Sequence, residues 1–209
     1  LLEWLRGSAP DCAVIAASSA AVYGADHAGP IAESAVPAPM SPYGQHKWMM
    51  EQLCRSYAQS FGIDCSIVRL FSVYGPNLRK QLLWDICSRL AAKEPVLTLG
   101  GTGSEIRDWT DVRDVARLLA GLAQPSSQQT FRIINGGSGR GTSVADIAAG
   151  LIKLWGGNTV VRHSGISRPG DPASLLADDA TLRQIGFDWR IALDQGLADY
   201  VAWFKGQAS

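Results

Sequence analysis

Ser18-Ser19-Ala20-Ala21-Val22-Tyr23-Gly24, followed by Ser41-Pro42-Tyr43-Gly44-Gln45-His46-Lys47, decides how this chain is read. Immediately before the first stretch, Ala13-Val14-Ile15-Ala16-Ala17 is a run of small apolar residues that suits a buried strand of a parallel sheet. Ligand sites in open α/β sheets form at the carboxyl ends of such strands, where Ser18 and Ser19 fall. If Ser41-Pro42 opens a helix, Tyr43 and Lys47 lie one turn apart on one face, and the ammonium beside the phenol favours its ionised form. Tyr43 is then a candidate general base. Tyr-x-x-x-Lys alone has little specificity, and its weight comes from its surroundings.

Residues 65–76, Cys65-Ser66-Ile67-Val68-Arg69-Leu70-Phe71-Ser72-Val73-Tyr74-Gly75-Pro76, read as a strand running into a Gly-Pro turn. Residues 107–116, Arg107-Asp108-Trp109-Thr110-Asp111-Val112-Arg113-Asp114-Val115-Ala116, read as a short strand meeting a helix. There Asp108, Asp111 and Asp114 are expected to be caps and solvated charges. A long helix is expected over 41–61, with Met50, Leu53, Cys54, Tyr57 and Phe61 at helical spacing as its core face and Trp48 and Met49 widening the apolar surface. Further strands are expected at 63–71, 96–99 and 130–135, and helices at 81–92, 112–123 and 144–155. The last of these has Ser143 and Asp146 at capping-box spacing. Residues 1–7 read as a helix end, and 124–129 as a polar loop.

The 209 residues are 46% hydrophobic, enough for a sizeable core, and their formal net charge of +0 gives no electrostatic reason to expect nucleic acid or an anionic membrane as partner. No apolar stretch approaches the ~20 residues that span a bilayer. No charged-then-apolar leader opens the chain, and a cytoplasmic location is expected. Cys12, Cys54, Cys65 and Cys87 are scattered, without a C-x-x-C pair or clustered histidines. They are expected to be small core residues, with no disulfide framework and no metal site.

The order S-S-x-x-V-Y-G, S-P-Y-G-x-x-K, R-x-F-x-V-Y-G-P, R-D-W-x-x-V-x-D-V-A and R-P-G-D resembles the extended short-chain dehydrogenase/reductase family, in particular its NAD-dependent nucleotide-sugar epimerases and dehydratases. The resemblance spans most of the chain. It implies an α/β fold: the C-terminal part of a Rossmann-type parallel sheet, from residues 1–75 and about 108–135, plus a smaller α/β substrate-binding subdomain from about 76–107 and 136–209. Members of the family begin with a strand, a Gly-rich turn and a helix that cradle the cofactor pyrophosphate. No G-x-x-G-x-x-G opens this chain; Gly100-Gly101-Thr102-Gly103 and Gly136-Gly137-Ser138-Gly139-Arg140-Gly141 have the wrong neighbours and are read as loops. The chain is expected to be the C-terminal part of a longer enzyme and inactive alone.

What the resemblance implies chemically is a nucleotide sugar bound with its C4 hydroxyl near Tyr43 and Ser19, oxidised at C4 to a 4-keto sugar and reduced on the other face. Ser19, Tyr43 and Lys47 are the implied catalytic set, with Lys47 also bonding the nicotinamide ribose. Ser18, Phe71 and Val73 join Tyr43 and Lys47 at the cofactor, which is NAD, with NADP still open. Arg107 and Arg168 match the arginines that grip the diphosphate. Asp171 matches an acid on the nucleotide ribose, and Gln81 and Leu82 fall near the base and diphosphate. Ser72 stands where the family often has Asn, so a hydroxyl replaces the amide there. The implied partner is the nucleotide-sugar substrate, and the Tyr43-Lys47 helix commonly forms a homodimer interface. A 4-epimerase feeding polysaccharide synthesis leads; a 4-ketoreductase of the same family and a non-catalytic sugar-nucleotide-binding fragment are the alternatives. Ala20 and Ala21 occupy positions where dehydratases of the family usually carry Asp-Glu or a Glu.

Overall fold

The computed structural model describes residues 1–123, 131–166 and 170–207. The loop expected at 124–129 and the Arg168-Pro169 pair lie outside the described residues. The chain runs α1 (Leu2–Ser8), β1 (Val14–Ser19), a 3₁₀ turn at Ala20–Val22, β2 (Pro30–Ile31), α2 (Pro42–Phe61), β3 (Cys65–Leu70) and β4 (Ser72–Tyr74). It continues with α3 (Gln81–Ala91), β5 (Val96–Leu99), β6 (Ile106–Asp111), α4 (Val112–Leu122), β7 (Phe131–Gly136) and β8 (Gly141–Ser143). Then come α5 (Val144–Trp155), β9 (Val160–His163), β10 (Ser174–Ala177), α6 (Ala180–Gln184) and α7 (Leu193–Gly206). The α/β class expected from the sequence is the one that forms.

β1, β3 and β7 pair in that order as a parallel sheet. Aligned residues of paired strands share a face, so the register defines rows. Facing α2 are Val14/Cys65/Phe131, then Ala16/Ile67/Ile133, then Ser18/Arg69/Asn135 at the carboxyl end. The first two rows pack with Cys54 and Ala58 of α2 into one apolar cluster. On the opposite face Val68 and Ile134 pack against Leu118 and Leu122 of α4. Cover on both faces explains why the β1 and β3 sequences read as apolar without alternation.

β2, β10, β6 and β4 form a second parallel sheet, with β8 antiparallel on β6, while β5 pairs with β9. Tyr74, Leu83, Ile86, Leu97, Ile147, Leu151, Tyr200 and Phe204 bring α3, β5, α5 and α7 into a separate core. The expected cap of α5 is present: Ser143 Oγ accepts from the Asp146 amide at 3.0 Å and donates to its carboxylate at 2.6 Å. Among the described residues no helix is long and apolar enough to cross a membrane.

Two expectations need correcting. Cys54, Cys65 and Cys87 are buried, but Cys12 is exposed, because it sits in the turn between α1 and β1 and not within the sheet. In α2, Leu53 is 57% and Phe61 51% exposed, as are Tyr43 and Met49 to similar degrees. The stripe that meets the sheet is Gly44, Glu51, Cys54 and Ala58, small residues and one carboxylate. Cys54 is buried and Met50 and Tyr57 pack beside it as expected, whereas close approach of helix to sheet selects small side chains elsewhere and leaves Leu53 and Phe61 outside.

Gly44 shows how close that approach is. A Cβ there would lie 2.5 Å from the carbonyl oxygen of Ala21. Replacing a helical glycine by alanine ordinarily stabilises by about 1 kcal/mol. Here overpacking, typically about 1–3 kcal/mol, opposes and should outweigh it. Gly44→Ala is therefore expected to lower the urea midpoint; an unchanged or raised midpoint would show that α2 can move off the 3₁₀ turn without penalty.

Candidate active site

α2 starts on Ser41, whose Oγ accepts the Gly44 amide at 3.1 Å, with Pro42 at the first helical position. That cap places Tyr43 at the rim and Lys47 one turn in. The Lys47 ammonium donates to the Ala17 carbonyl at 2.8 Å and lies 5.7 Å from the centroid of the Tyr43 ring. Tyr43 is 56% exposed, open to the cleft. Ser19 Oγ caps the 3₁₀ turn by accepting the Ala21 amide at 3.2 Å, which leaves its proton available for another acceptor.

Beneath these groups the polar row is fully buried. Arg69 forms two hydrogen bonds to Glu51, Nε to Oε1 at 3.0 Å and Nη2 to Oε2 at 2.7 Å. Ser18 Oγ donates to Glu51 Oε1 at 2.5 Å. The Arg69 guanidinium stacks 4.7 Å from the Tyr23 ring centroid, and Tyr23 donates its hydroxyl to Asn135 Oδ1 at 2.6 Å. Burial pushes the Tyr23 phenol up, partly offset by the Arg69 charge. Glu51, Arg69, Tyr23 and Asn135 were not read from the sequence as site residues. The available signal was a lone arginine inside an otherwise apolar strand and a glutamate one turn beyond Lys47.

A cleft of about 1280 Å³ opens above β1, and its wall includes Ser18, Ser19, Tyr43 and Lys47. Phe71, Ser72 and Val73, which link β3 to β4, line it as well, as do Gln81 and Leu82 at the start of α3. Arg107 and Asp171 complete the expected set there; Arg168 lies outside the described residues. Gln81 takes a backbone φ of 66°, a conformation that non-glycine residues adopt at a cost. Lys80 and Trp109, neither singled out by the sequence, face the same space.

Arg107 donates to its neighbour's carbonyl, Ile106 O, at 2.8 Å and forms no ion pair among the described residues. Burial lowers its pKa, with the Asp171 and Glu105 charges acting in the opposite sense. An arginine in that state suits an anionic ligand. Glu105 is committed elsewhere: it accepts from the Thr102 and Gly103 amides at 2.7 and 2.9 Å, and these bonds bring its carboxyl down to about 2.

The acid series on β6 and α4 corrects another expectation. Asp108, Asp111 and Asp114 are all buried, not solvated. Asp108 accepts from the Ser138, Gly139 and Ala177 amides, although burial pushes its carboxyl up. Asp111 caps α4 by accepting the Arg113 amide and pairs with its guanidinium. Asp114 accepts from the Arg190 and Ile191 amides and from Arg117. Asp108 and Asp114 each pin a distant loop and Asp111 is a helix cap, as expected of the series, so all three do structural work. No group of three or more His, Cys, Asp and Glu among the described residues could hold a metal ion.

With this geometry in view, comparison with known proteins is direct. Residues 1–137 match the model of the NAD dependent epimerase/dehydratase family, and the chain belongs to that family. An uncharacterized UDP-glucose epimerase, YtcB, of Bacillus subtilis is 31% identical over 191 residues, covering 90% of this chain and 59% of that protein. The UDP-glucose 4-epimerase of Azospirillum brasilense is 33% identical, covering 82% of this chain and 54% of its own length. The chain thus spans little more than half of these relatives. The crystal structure of UDP-glucuronic acid 4-epimerase from Bacillus cereus, in complex with UDP-glucuronic acid and NAD, superimposes with a TM-score of 0.89 at 30% identity. That match covers 99% of this chain and 65% of the other.

Proposed function

We propose that this chain carries the catalytic and sugar-nucleotide part of an NAD-dependent UDP-hexose 4-epimerase. The observation that supports this reading is the meeting of Ser19, Tyr43 and Lys47 in one cleft with Arg107, a guanidinium without a carboxylate partner among the described residues. In this reading residues 1–75 and about 108–135 serve the cofactor and chemistry, while about 76–107 and 136–209 hold the sugar nucleotide.

The donor set at the end of β1 fits the nicotinamide-ribose side of NAD: an ammonium and a phenol face the cleft there, with Ser18, Phe71 and Val73 beside them. The 209 residues contain no G-x-x-G-x-x-G turn for the pyrophosphate, so we infer that the chain alone holds NAD too weakly for turnover. When bound, NAD supplies the acceptor, and then the return donor, of one hydride at sugar C4. Tyr43 takes the proton of the C4 hydroxyl, while Ser19 hydrogen-bonds the same oxygen. The 4-keto sugar then turns in the cleft, and Tyr43 gives the proton back. Lys47 orients the ribose, Arg107 and Arg168 neutralise the diphosphate, Ser72, Gln81 and Leu82 flank it, and Asp171 bonds the nucleotide ribose.

Epimerisation is favoured over dehydration by the two residues after Ser19. Removing water across C5–C6 needs a further acid and base, and Ala20 and Ala21 offer only methyl groups. Product analysis by anion exchange and NMR, on the full-length enzyme of which these residues are proposed to be a part, supplied with UDP-glucose, UDP-glucuronate and dTDP- and GDP-hexoses, is expected to yield the C4 epimer of a UDP-sugar without net change in cofactor. A 4-keto-6-deoxy sugar as main product would overturn the reading, and a reduced deoxy sugar formed only with added NAD(P)H would replace it with a ketoreductase.

Variants separate chemistry from binding. In the full-length enzyme Tyr43→Phe is expected to lower turnover by about 100- to 10,000-fold, the span usual for general acid–base groups, with sugar-nucleotide affinity retained. Arg107→Ala should instead weaken calorimetric binding of UDP. Normal turnover in the first, or unchanged affinity in the second, removes the corresponding role; micromolar binding of NAD to the 209 residues alone would refute the cofactor inference.

We further infer a homodimer through α2, supported by its outward row of Met49, Leu53 and Phe61, with Trp4 of α1 also exposed. Light scattering at micromolar concentration is expected to give twice the 22.3 kDa chain mass, and Leu53→Glu to return it to one. A monomer in the unmodified chain would end that inference.

A further inference from the structure

We infer that the buried Glu51–Arg69 ion pair is the positioning device for Tyr43 and Lys47, holding α2 in register on the end of β1. Tyr43, Lys47 and Glu51 follow one another at four-residue steps and share one face of the helix. Lys47 and Glu51 grip consecutive residues of the strand: the ammonium takes the Ala17 carbonyl at 2.8 Å, and the carboxylate takes the Ser18 hydroxyl at 2.5 Å. Lys47 is therefore set by two attachments of the same helix to the same strand end. Tyr43 is set with it, one turn earlier.

The carboxylate is itself immobilised. Both oxygens accept from Arg69, and Arg69 has a third tie, Nη1 to the Glu33 carbonyl at 3.2 Å. Glu51 is 0% and Arg69 2% exposed. Stability does not account for such a pair, because apolar residues of similar volume usually serve a core as well or better. A planar, doubly bonded guanidinium offers something they cannot: it fixes the carboxylate in direction as well as in distance. Register matters here, since a shift of about 1 Å in a reacting group can reduce rate about 100-fold. The pair touches neither the cleft nor Tyr43, so its effect on chemistry passes through Ser18 and the helix.

The test uses residue-level labelling, so that it stands apart from the proposed reaction. Trace acetylation with acetic anhydride, read by mass spectrometry, reports the accessibility of each lysine; Lys93 and Lys153, both exposed, are internal controls. In Glu51→Leu with Arg69→Met, which leaves no buried charge unpaired, Lys47 is expected to label roughly 2- to 10-fold faster, the factor for one net hydrogen bond. The same direction is expected in Ser18→Ala, which deletes only the hydroxyl, with Ser18→Thr restoring the original rate. Should the double variant fail to fold, the Ser18 pair decides. Lys47 labelling unchanged in Ser18→Ala, or in a folded double variant, overturns the proposal.

A kinetic arm rests on the epimerase reading. In the full-length enzyme supplied with NAD and nucleotide sugar, the double variant should lose turnover by about 10- to 100-fold with KM unchanged. A raised KM with normal kcat would count against positioning. If the unmodified full-length enzyme shows no epimerisation, the function fails while the labelling result still decides the role of the pair.

Discussion

Everything at the candidate site hangs on one row of buried polar side chains. Ser18, Arg69 and Asn135 are each the penultimate residue of β1, β3 and β7 and stand side by side across the sheet. Burying a guanidinium is costly unless it is paired and its remaining donors are satisfied. Here Glu51 satisfies two donors, the Glu33 carbonyl a third, and the Tyr23 ring covers the face. Asn135 is equally engaged, donating to the Ile31 carbonyl at 2.7 Å while its own amide donates to Glu33. The requirement that every member be satisfied draws α2, the Tyr23 turn, β2 and the Glu33 loop onto the same strand ends. A network of this kind admits one arrangement of those elements, where a purely apolar layer would admit several.

The other end of the molecule uses carboxylates differently. Asp108, Asp111 and Asp114 lie within seven residues of chain; Asp108 and Asp114 take amides from distant segments, while Asp111 caps α4 and pairs with Arg113 beside it. Backbone amides that would otherwise be buried without partners are thereby satisfied where the chain makes loops and not ladders. The result is that the loops at 138–139 and 190–191 are tied to β6, the strand carrying Arg107, and to α4, the helix that follows it. Arg107 thus stands on a strand braced from both sides, although none of the three acids touches the cleft.

How far the sequence could be read depends on which forces dominate at each place. Strand β3 and helices α2 to α5 were legible to within a residue or two, because apolar runs, capping serines and Gly-Pro turns report local preferences that tertiary packing does not override. The inward face of α2 was legible only in part: Met50, Cys54 and Tyr57 pack as expected, but Gly44, Glu51 and Ala58 were not read. Its stripe of Gly44, Glu51, Cys54 and Ala58 is chosen for closeness to the sheet and for one ion pair, and neither property has a hydrophobic period. Likewise a row such as Ser18/Arg69/Asn135 is scattered over more than a hundred residues and becomes visible only when strand register is known. Ser19, Tyr43 and Lys47 could be placed together from motif spacing, but motif spacing is silent on Lys80 and Trp109, whose approach to the cleft depends on how β6 and the turn before α3 pack.

The two halves of the site are joined by very little chain. β3 ends at Leu70 and β4 starts at Ser72, so a single residue, Phe71, carries the backbone from the sheet bearing Ser19 to the sheet bearing Arg107. β4 pairs directly with β6, Ser72 opposite Trp109, two positions from Arg107. Phe71 is packed as well, its ring 6.4 Å from that of Tyr23, which belongs to the buried network under Ser18. In the proposed reading a ligand reaching from Arg107 to Tyr43 spans the two sheets, and Phe71 is the shortest of the connections between them. A long flexible link would let binding energy at the anion be lost to motion before it could orient the reacting carbon. In that reading the short, packed link would carry orientation from the anion-binding end to the reacting end of the cleft.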